Sequence, residues 1–159
     1  MAALRLDLSA LKSGHNQVHL TVPPASLGLA DPEWPAPLDV SIDADRSGDQ
    51  VSVNARVTTT SAGECARCLR DFSAPLDFVV HVYADRAGTG GRYEKDLSED
   101  DYVVFHDGRH LDLDEHVREA ALLARPMAPL CRSECRGLCS RCGADWNEGT
   151  CPHRDAPGT

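Results

Sequence analysis

Apolar residues recur at every second position through much of the first half of the chain, which is the period of a β-strand with one buried face. Two such runs flank the polar turn DRSGDQ in residues 38–60 and predict an antiparallel hairpin. Residues 75–84 alternate in the same way and predict a third strand. The segment GECARCLRDF separates the second and third of these strands, so we expect its cysteines at a hairpin tip.

Two more hairpins are predicted outside this region. Residues 4–11 and 17–22 alternate on either side of KSGHN, and residues 102–113 do so around Asp107 and Gly108. Both segments therefore predict short antiparallel pairs.

The connections between these strands differ in composition. Five prolines in residues 23–38 exclude a central strand or a helix interior, so we predict a long connection from which Trp34 folds back onto the core. Residues 85–101 are rich in glycine and then in acidic side chains, and they predict a loop.

One helix is predicted after residue 112. Asp112 is a suitable N-cap, and Glu115 three residues later completes a capping box. Arg125 suits the last turn and Pro126 ends the helix. The apolar positions at helical spacing are Leu113, Val117, Ala120, Ala121 and Ala124.

These patterns predict an α+β fold with a mainly antiparallel sheet, possible barrel-like closure of that sheet, one principal helix and a small C-terminal zinc-ribbon-like module. We divide the chain into an α+β body at residues 1–126 and a cysteine-rich tail at residues 127–155. Residues 156–159 are expected to be disordered.

Charge and hydropathy narrow the functional classes. The net charge is −9, and residues 1–124 carry all of the acidic excess, which argues against broad attraction of this part of the chain to a phosphate backbone. No apolar run of about 18 residues occurs, so we expect neither a membrane span nor a signal peptide. The cytoplasm, where thiols stay reduced, is the expected compartment.

The cysteines indicate metal binding. There are seven in total, an odd number, so a complete set of disulfides would leave one thiol over. Two Cys-x2-Cys pairs, one Cys-x3-Cys pair and a Cys-x-His pair together offer eight ligands, which is enough for two four-coordinate zinc sites. The first predicted site consists of Cys139, Cys142, Cys151 and His153. The second consists of Cys65, Cys68, Cys131 and Cys135.

Other arrangements stay open at this point. Cys131 and Cys135 could instead join Cys139 and Cys142 in one site, so the number of zinc ions is one or two. The pair at Cys65 and Cys68 could also be a redox dithiol, although such dithiols usually begin a helix after a strand.

Catalysis has little support in the sequence. A catalytic zinc keeps an open position and usually has a general base nearby, whereas cysteine-rich sites are typically closed and structural. The motifs HExxH, GxSxG and GxGxxG are absent, and the histidines in the body are scattered. We therefore expect no catalytic residues and no enzymatic activity.

The segment GECARCLRDF and the later LDLDEHVREAALLARPMAPLCRSECRGLCSRCGADWN resemble the bacterial YceD family of large ribosomal RNA subunit accumulation proteins. The likeness extends from PPASLG at residues 23–28 to CPH at residues 151–153. The family's Cys-x-Arg-Cys motif falls on Cys65, Arg67 and Cys68. Its tail cysteines fall on Cys131, Cys135, Cys139 and Cys142.

The resemblance implies a cytoplasmic, non-enzymatic factor that supports accumulation of large-subunit ribosomal RNA. The implied partner is precursor rRNA of the large subunit or a basic ribosomal protein, with no small-molecule substrate. This chain departs from its relatives at Cys151-Pro152-His153, where they tend to have Cys-x-Cys; histidine can replace thiolate at zinc. A redox- or zinc-responsive regulatory module is the alternative function. Candidate contacts to RNA or a partner are Arg67, Arg132, Arg136 and Arg141.

Overall fold

A five-stranded sheet forms the body in the computed structural model, which describes residues 3–29, 32–86 and 103–153. The strands are β1 Arg5–Asp7, β2 Gly14–Val22, β3 Leu38–Ser47, β4 Gln50–Glu64, β5 Asp71–Arg86, β6 Val103–His106 and β7 His110–Asp112. The order in the five-stranded sheet is β2-β3-β4-β5-β6, and a second sheet pairs β1 with β7. The helix α1 is Asp114–Ala124, and short 3-10 segments lie at Leu8–Ala10 and Pro24–Leu27.

The central hairpins confirm the alternation seen in the sequence. β3 and β4 pair through a two-residue turn at Gly48 and Asp49, and Gly48 has the positive φ of 63° that tight hairpin turns favour. β4 continues to Glu64 and returns as β5 from Asp71, so the predicted cysteine-bearing tip is confirmed. Both strands are longer than the alternation alone predicted.

The inward positions of these strands form the core. Val40 lies opposite Val57, and Ile42 lies opposite Ala55, with all four side chains at most 2% exposed. Trp34 is 3% exposed and packs into the same core, as predicted for the proline-rich connection. The apolar alternation therefore builds one continuous hydrophobic layer beneath the sheet.

The two outer hairpin predictions are wrong. β1 pairs with β7 rather than with β2, because Asp7 caps the 3-10 segment at Ser9 and turns the chain away. Buried Leu6 then lies opposite buried Leu111, about a hundred positions later in the sequence. β2 pairs with β3 instead.

The segment 102–113 contains the predicted turn but does not form a hairpin. Asp107 accepts hydrogen bonds from the N–H groups of Arg109 and His110, each at 2.7 Å. The strands on either side separate, since β6 pairs in parallel with β5 while β7 joins the other sheet. The turn thus carries the chain between sheets.

The helix is confirmed, but its predicted capping box is wrong. Leu113 occupies the N-cap position and makes no side-chain cap hydrogen bond. Asp112 still accepts a hydrogen bond from the N–H of Asp114 at 2.9 Å. The carboxylate of Asp114 accepts bonds from the N–H groups of Ala3 and Leu4, so it holds the start of the chain against the helix.

The fold class is confirmed as a mostly antiparallel sheet with one helix. The sheet does not close into a barrel, since the edge strands β2 and β6 do not pair with each other. No helix in the described part of the chain has the length and apolarity needed to cross a bilayer. The predicted loop at residues 85–101 and the terminal residues 156–159 lie outside the described residues, except for the end of β5.

Candidate metal centres

The tip of the β4–β5 hairpin is a tight knuckle built on Cys65 and Cys68. The N–H of Leu69 donates to the carbonyl of Cys65 at 2.9 Å, and the N–H of Cys65 donates to the carbonyl of Arg70 at 2.9 Å. Leu69 has a φ of 58°, a left-handed conformation that is costly for a residue with a side chain. The knuckle therefore places both sulfurs on one side at the expense of local backbone strain.

The tail repeats this local fold at Cys139 and Cys142. The N–H of Gly143 donates to the carbonyl of Cys139 at 2.9 Å, and the N–H of Cys139 donates to the carbonyl of Ala144 at 2.8 Å. Gly143 stands where Leu69 stands in the first knuckle, and its φ is 73°. Two segments distant in sequence thus share the same turn, with glycine meeting the left-handed requirement in one of them.

The inner cluster consists of Cys65, Cys68, Cys131 and Cys135. The Sγ atoms of Cys65 and Cys135 lie 3.7 Å apart, as do those of Cys68 and Cys131. Sulfurs at the corners of a tetrahedron around zinc, with Zn–S bonds near 2.3 Å, would be separated by about 3.8 Å. The observed spacing matches that tetrahedron and is far longer than a disulfide bond.

The outer cluster consists of Cys139, Cys142, Cys151 and His153. Its four ligand atoms all lie within 4.8 Å of one another. The Nδ1 atom of His153 is buried and has no hydrogen-bond partner among the described residues. A buried ring nitrogen without a partner is costly, and a metal bound at that atom would remove the cost.

Backbone N–H groups favour thiolates at the first cysteine of each knuckle. The N–H of Cys68 lowers the pKa of Cys65 to about 6. The N–H groups of Cys142 and Arg141 lower the pKa of Cys139 to about 7. Thiolate is the form that binds a metal, so both knuckles are prepared for ligation.

Burial has the opposite effect at the entry to the tail. It raises the pKa of Cys131 to about 12, and the neighbouring sulfurs of the inner cluster add to the rise. Holding four thiolates together without a cation is therefore electrostatically unfavourable, and a divalent ion at their centre would relieve the repulsion.

Two side chains outside the ligand sets donate to sulfur, and the sequence analysis did not identify them. The indole Nε1–H of Trp146 donates to Sγ of Cys151 at 3.3 Å. The amide Nδ2–H of Asn147 donates to Sγ of Cys135 at 3.4 Å. The only sequence signal for this role was the presence of two consecutive residues with side-chain N–H donors shortly after the last Cys-x2-Cys pair.

Contacts between backbone and side chains attach the tail to the hairpin tip. The N–H of Ala66 donates to the carbonyl of Pro129 at 2.8 Å, and Arg67 Nη1 donates to the carbonyl of Cys135 at 2.9 Å. Arg70 forms ion pairs with Asp145 and Glu148. Arg67, one of the predicted partner contacts, thus has an internal hydrogen bond.

The other predicted contact residues lie on the surface of the tail. Arg132, Arg136 and Arg141 are all exposed. Hydrogen bonds from Asn147 lower the pKa of Asp145, and the positive charge of Arg132 lowers it further. The carboxylate of Asp145 also pairs with Arg70 of the hairpin tip.

Comparison of the sequence with known protein families places this chain in one of them. Residues 53–158 match the family described as large ribosomal RNA subunit accumulation protein YceD. This range includes every ligand of both clusters. The chain belongs to the YceD family.

Relatives of the chain support this assignment. A protein of Mycobacterium leprae (strain TN), described only as uncharacterised, is 30% identical over 70% of this chain and 50% of its own length. An uncharacterised protein of Mycobacterium tuberculosis (strain ATCC 25618 / H37Rv) is 30% identical over 81% of this chain and 60% of its own length. The Arabidopsis thaliana protein named large ribosomal RNA subunit accumulation protein YCED homolog 1, chloroplastic, is 25% identical over 72% and 43% of the two chains.

The chain thus spans about half the length of the curated relatives that it matches. No solved structure matches it significantly. The family name describes an accumulation factor for large-subunit ribosomal RNA and does not name a reaction.

The geometry allows each cluster of this YceD-family protein to hold a metal ion. Cys131 and Cys135 lie with the hairpin pair rather than with Cys139 and Cys142. Each cluster supplies four protein ligands from knuckles and short turns, which suits a closed structural site rather than an open catalytic one. A bound ion would fix the hairpin tip and the tail in one orientation.

Proposed function

We propose that this protein supports the accumulation of large-subunit ribosomal RNA, and hence biogenesis of the large ribosomal subunit, by binding rather than by catalysis. The observation that carries the proposal is the family match over residues 53–158, which spans the longest hairpin, the helix and both cysteine clusters. The cytoplasm is the proposed compartment, in keeping with seven cysteines that form no disulfide.

We propose further that zinc occupies both clusters. Thiolate and imidazole ligands in closed sets of four are typical of structural zinc. The 3.7 Å sulfur separations in the inner cluster and the unpartnered Nδ1 of His153 in the outer cluster support this choice. Zinc would supply folding energy and hold the tail, residues 127–155, as a module on the body, residues 1–126.

The proposed partner is precursor rRNA of the large subunit or a basic ribosomal protein bound to it. The body is acidic, which suits a cationic protein partner. The exposed guanidinium groups of Arg132, Arg136 and Arg141 suit phosphate at close range. Arg67 is also exposed, although its Nη1 already donates to the carbonyl of Cys135.

Depletion of the protein in the organism that carries it tests the function. We expect a fall in the ratio of large-subunit to small-subunit rRNA, and co-sedimentation of the tagged protein with large-subunit precursors. Re-expression of the Arg136→Ala/Arg141→Ala variant should restore the ratio less well than Arg118→Ala, which removes an exposed arginine from α1. An unchanged ratio together with no co-sedimentation would rule out the proposal.

The second candidate is a redox- or zinc-responsive regulatory module. It is favoured by the exposure of Cys142 in a cluster whose other cysteines are at least partly covered. Thiol titration and zinc release, measured before and after exposure to dilute peroxide, distinguish the two functions. Thiols that stay protected with zinc retained would exclude the sensor.

A further inference from the structure

We propose that the outer metal centre releases its metal first, and that Trp146 and Asn147 couple the two centres so that this loss weakens the inner one. This inference rests on the proposed occupancy of both clusters by zinc. It concerns two consecutive residues, each of which donates a side-chain N–H to a sulfur of a different cluster.

The contact to the outer cluster comes from the indole. Trp146 is half-buried, and its Nε1–H lies 3.3 Å from Sγ of Cys151. A donor to a ligating sulfur orients the ligand and tunes its affinity for the metal.

The contact to the inner cluster comes from the next residue. Asn147 Nδ2–H lies 3.4 Å from Sγ of Cys135, and its Oδ1 accepts a hydrogen bond from the N–H of Arg136 at 2.9 Å. Cys135 is 3% exposed, so the amide reaches a sulfur that solvent hardly touches. Asn147 therefore clamps the Cys135 turn through both ends of its amide.

Hydrogen bonds fix the backbone at both Trp146 and Asn147, so the connection between the two clusters is rigid. The N–H of Trp146 donates to the carbonyl of Gly137 at 2.9 Å, and the N–H of Asn147 donates to Oδ1 of Asp145 at 2.8 Å. Asp145 is in turn paired with Arg70 at 3.1 Å. Displacement of Trp146 must therefore move Asn147 and disturb Cys135.

Exposure determines which centre opens first. Cys65, Cys68 and Cys135 of the inner cluster are between 0% and 6% exposed. The outer cluster includes exposed Cys142 and partly exposed Cys151 and His153. A chelator can reach exposed Cys142 of the outer cluster directly, whereas the inner cluster presents only the partly exposed Cys131, so the inner metal should leave more slowly.

The test measures zinc release from the full-length protein into an excess of a chromogenic chelator. We expect two phases of one zinc each, and loss of the fast phase in Cys142→Ser. Cys142→Ser should also accelerate the remaining slow phase. Independent centres would leave that slow phase at its wild-type rate and would overturn the coupling.

Two substitutions examine the link itself. Trp146→Phe keeps the aromatic ring but removes the N–H, and Asn147→Ala removes the amide. We expect each substitution to lower the zinc affinity of the cluster that the residue contacts about 10- to 100-fold, the usual range for the loss of a hydrogen-bond partner of a metal ligand. Thr150→Ala, an exposed residue of the same tail, is the matched control and should release zinc at the wild-type rate.

The substitutions should also be non-additive. Asn147→Ala combined with Cys142→Ser should accelerate the slow phase by less than the product of the two single effects, because both act through one link. In the Co²⁺-substituted protein, Asn147→Ala should shift the thiolate-to-metal absorption of the inner centre, a change that general loosening of the fold would not produce. Multiplicative effects with an unshifted spectrum would overturn the role of Asn147.

Metal content separates the failure of this inference from failure of the zinc proposal. Two zinc ions released in independent phases would leave zinc binding intact and refute only the coupling. A purified protein without metal would refute both. His153→Cys, which preserves a four-ligand outer site, should retain the fast-phase zinc that His153→Ala loses.

Discussion

At the scale of single residues, the two knuckles differ in the residue that follows their second cysteine. Gly143 and Leu69 both adopt positive φ, but only glycine does so without steric cost. A side chain at Gly143 would meet no atom within 4 Å, so a substitution there tests the backbone conformation alone.

Gly143→Ala should therefore lower the free energy of unfolding of the tail by about 1–2 kcal/mol, the cost of a left-handed alanine. Gly149→Ala is the matched control, because Gly149 also has open space around it but no positive φ. Thermal unfolding of the metal-loaded proteins measures the difference. Equal melting temperatures for the two variants would show that the knuckle does not require the left-handed turn.

The ligands could be predicted from sequence, whereas the residues that support them could not. Cysteine spacing and a count of eight donors predicted two sets of four, but they left open which pair Cys131 and Cys135 join. The fold groups these two with the pair at the hairpin tip. The hydrogen bonds from Trp146 and Asn147 depend on how the tail folds back over Gly137, which no local pattern encodes. The internal use of Arg67 likewise follows from its distance to Cys135 in the fold.

At the scale of elements, the prediction was accurate where a short turn joins two paired strands. β3, β4 and β5 follow one another through short turns, so alternation and turn residues were sufficient. β1 and β7 lie far apart in the sequence and meet only in the folded protein. Each has three residues, which is too few for apolar alternation to identify its partner strand. Local patterns carry no information about such distant pairing.

Asp114 provides a test of how the start of the chain is attached. Its carboxylate accepts hydrogen bonds from the N–H groups of Ala3 and Leu4, and Leu4 is fully buried. Asp114→Ala should lower the free energy of unfolding by about 1–3 kcal/mol, because two partly buried backbone N–H groups lose a charged hydrogen-bond acceptor. Urea unfolding measures this value.

Glu115→Ala is the control for Asp114→Ala, since Glu115 is exposed at the next position of α1 and forms no cap bond. It should change the stability by a few tenths of a kcal/mol at most. Equal losses in the two variants would indicate a general effect of acidic residues in the first helical turn rather than the attachment of the first strand.

At the scale of the whole molecule, the body and the tail depend on different forces. The body buries a continuous apolar layer under its sheet, whereas the described tail shares with the tip of the β4–β5 hairpin only a small cluster dominated by cysteines. A segment with so little apolar burial needs another source of folding energy, which the proposed metal ligation would supply. The two parts should therefore respond differently when metal is removed.

Removal of the bound metal by a chelator should unfold the tail and leave the five-stranded sheet folded. Amide hydrogen exchange should accelerate across residues 131–153, while the central strands β3 and β4 keep their protection. Addition of Zn²⁺ should restore the slow exchange of the tail. Loss of protection in β3 and β4 at the same chelator concentration would mean that the body also depends on the metal.

The most direct test of the account is the number of metal ions per chain, measured by native mass spectrometry together with elemental analysis. We predict two zinc ions in the full-length protein, one in Cys68→Ser and one in Cys142→Ser, since each variant removes a ligand from one cluster. A protein without zinc, or a single zinc lost in both variants, would contradict two separate centres.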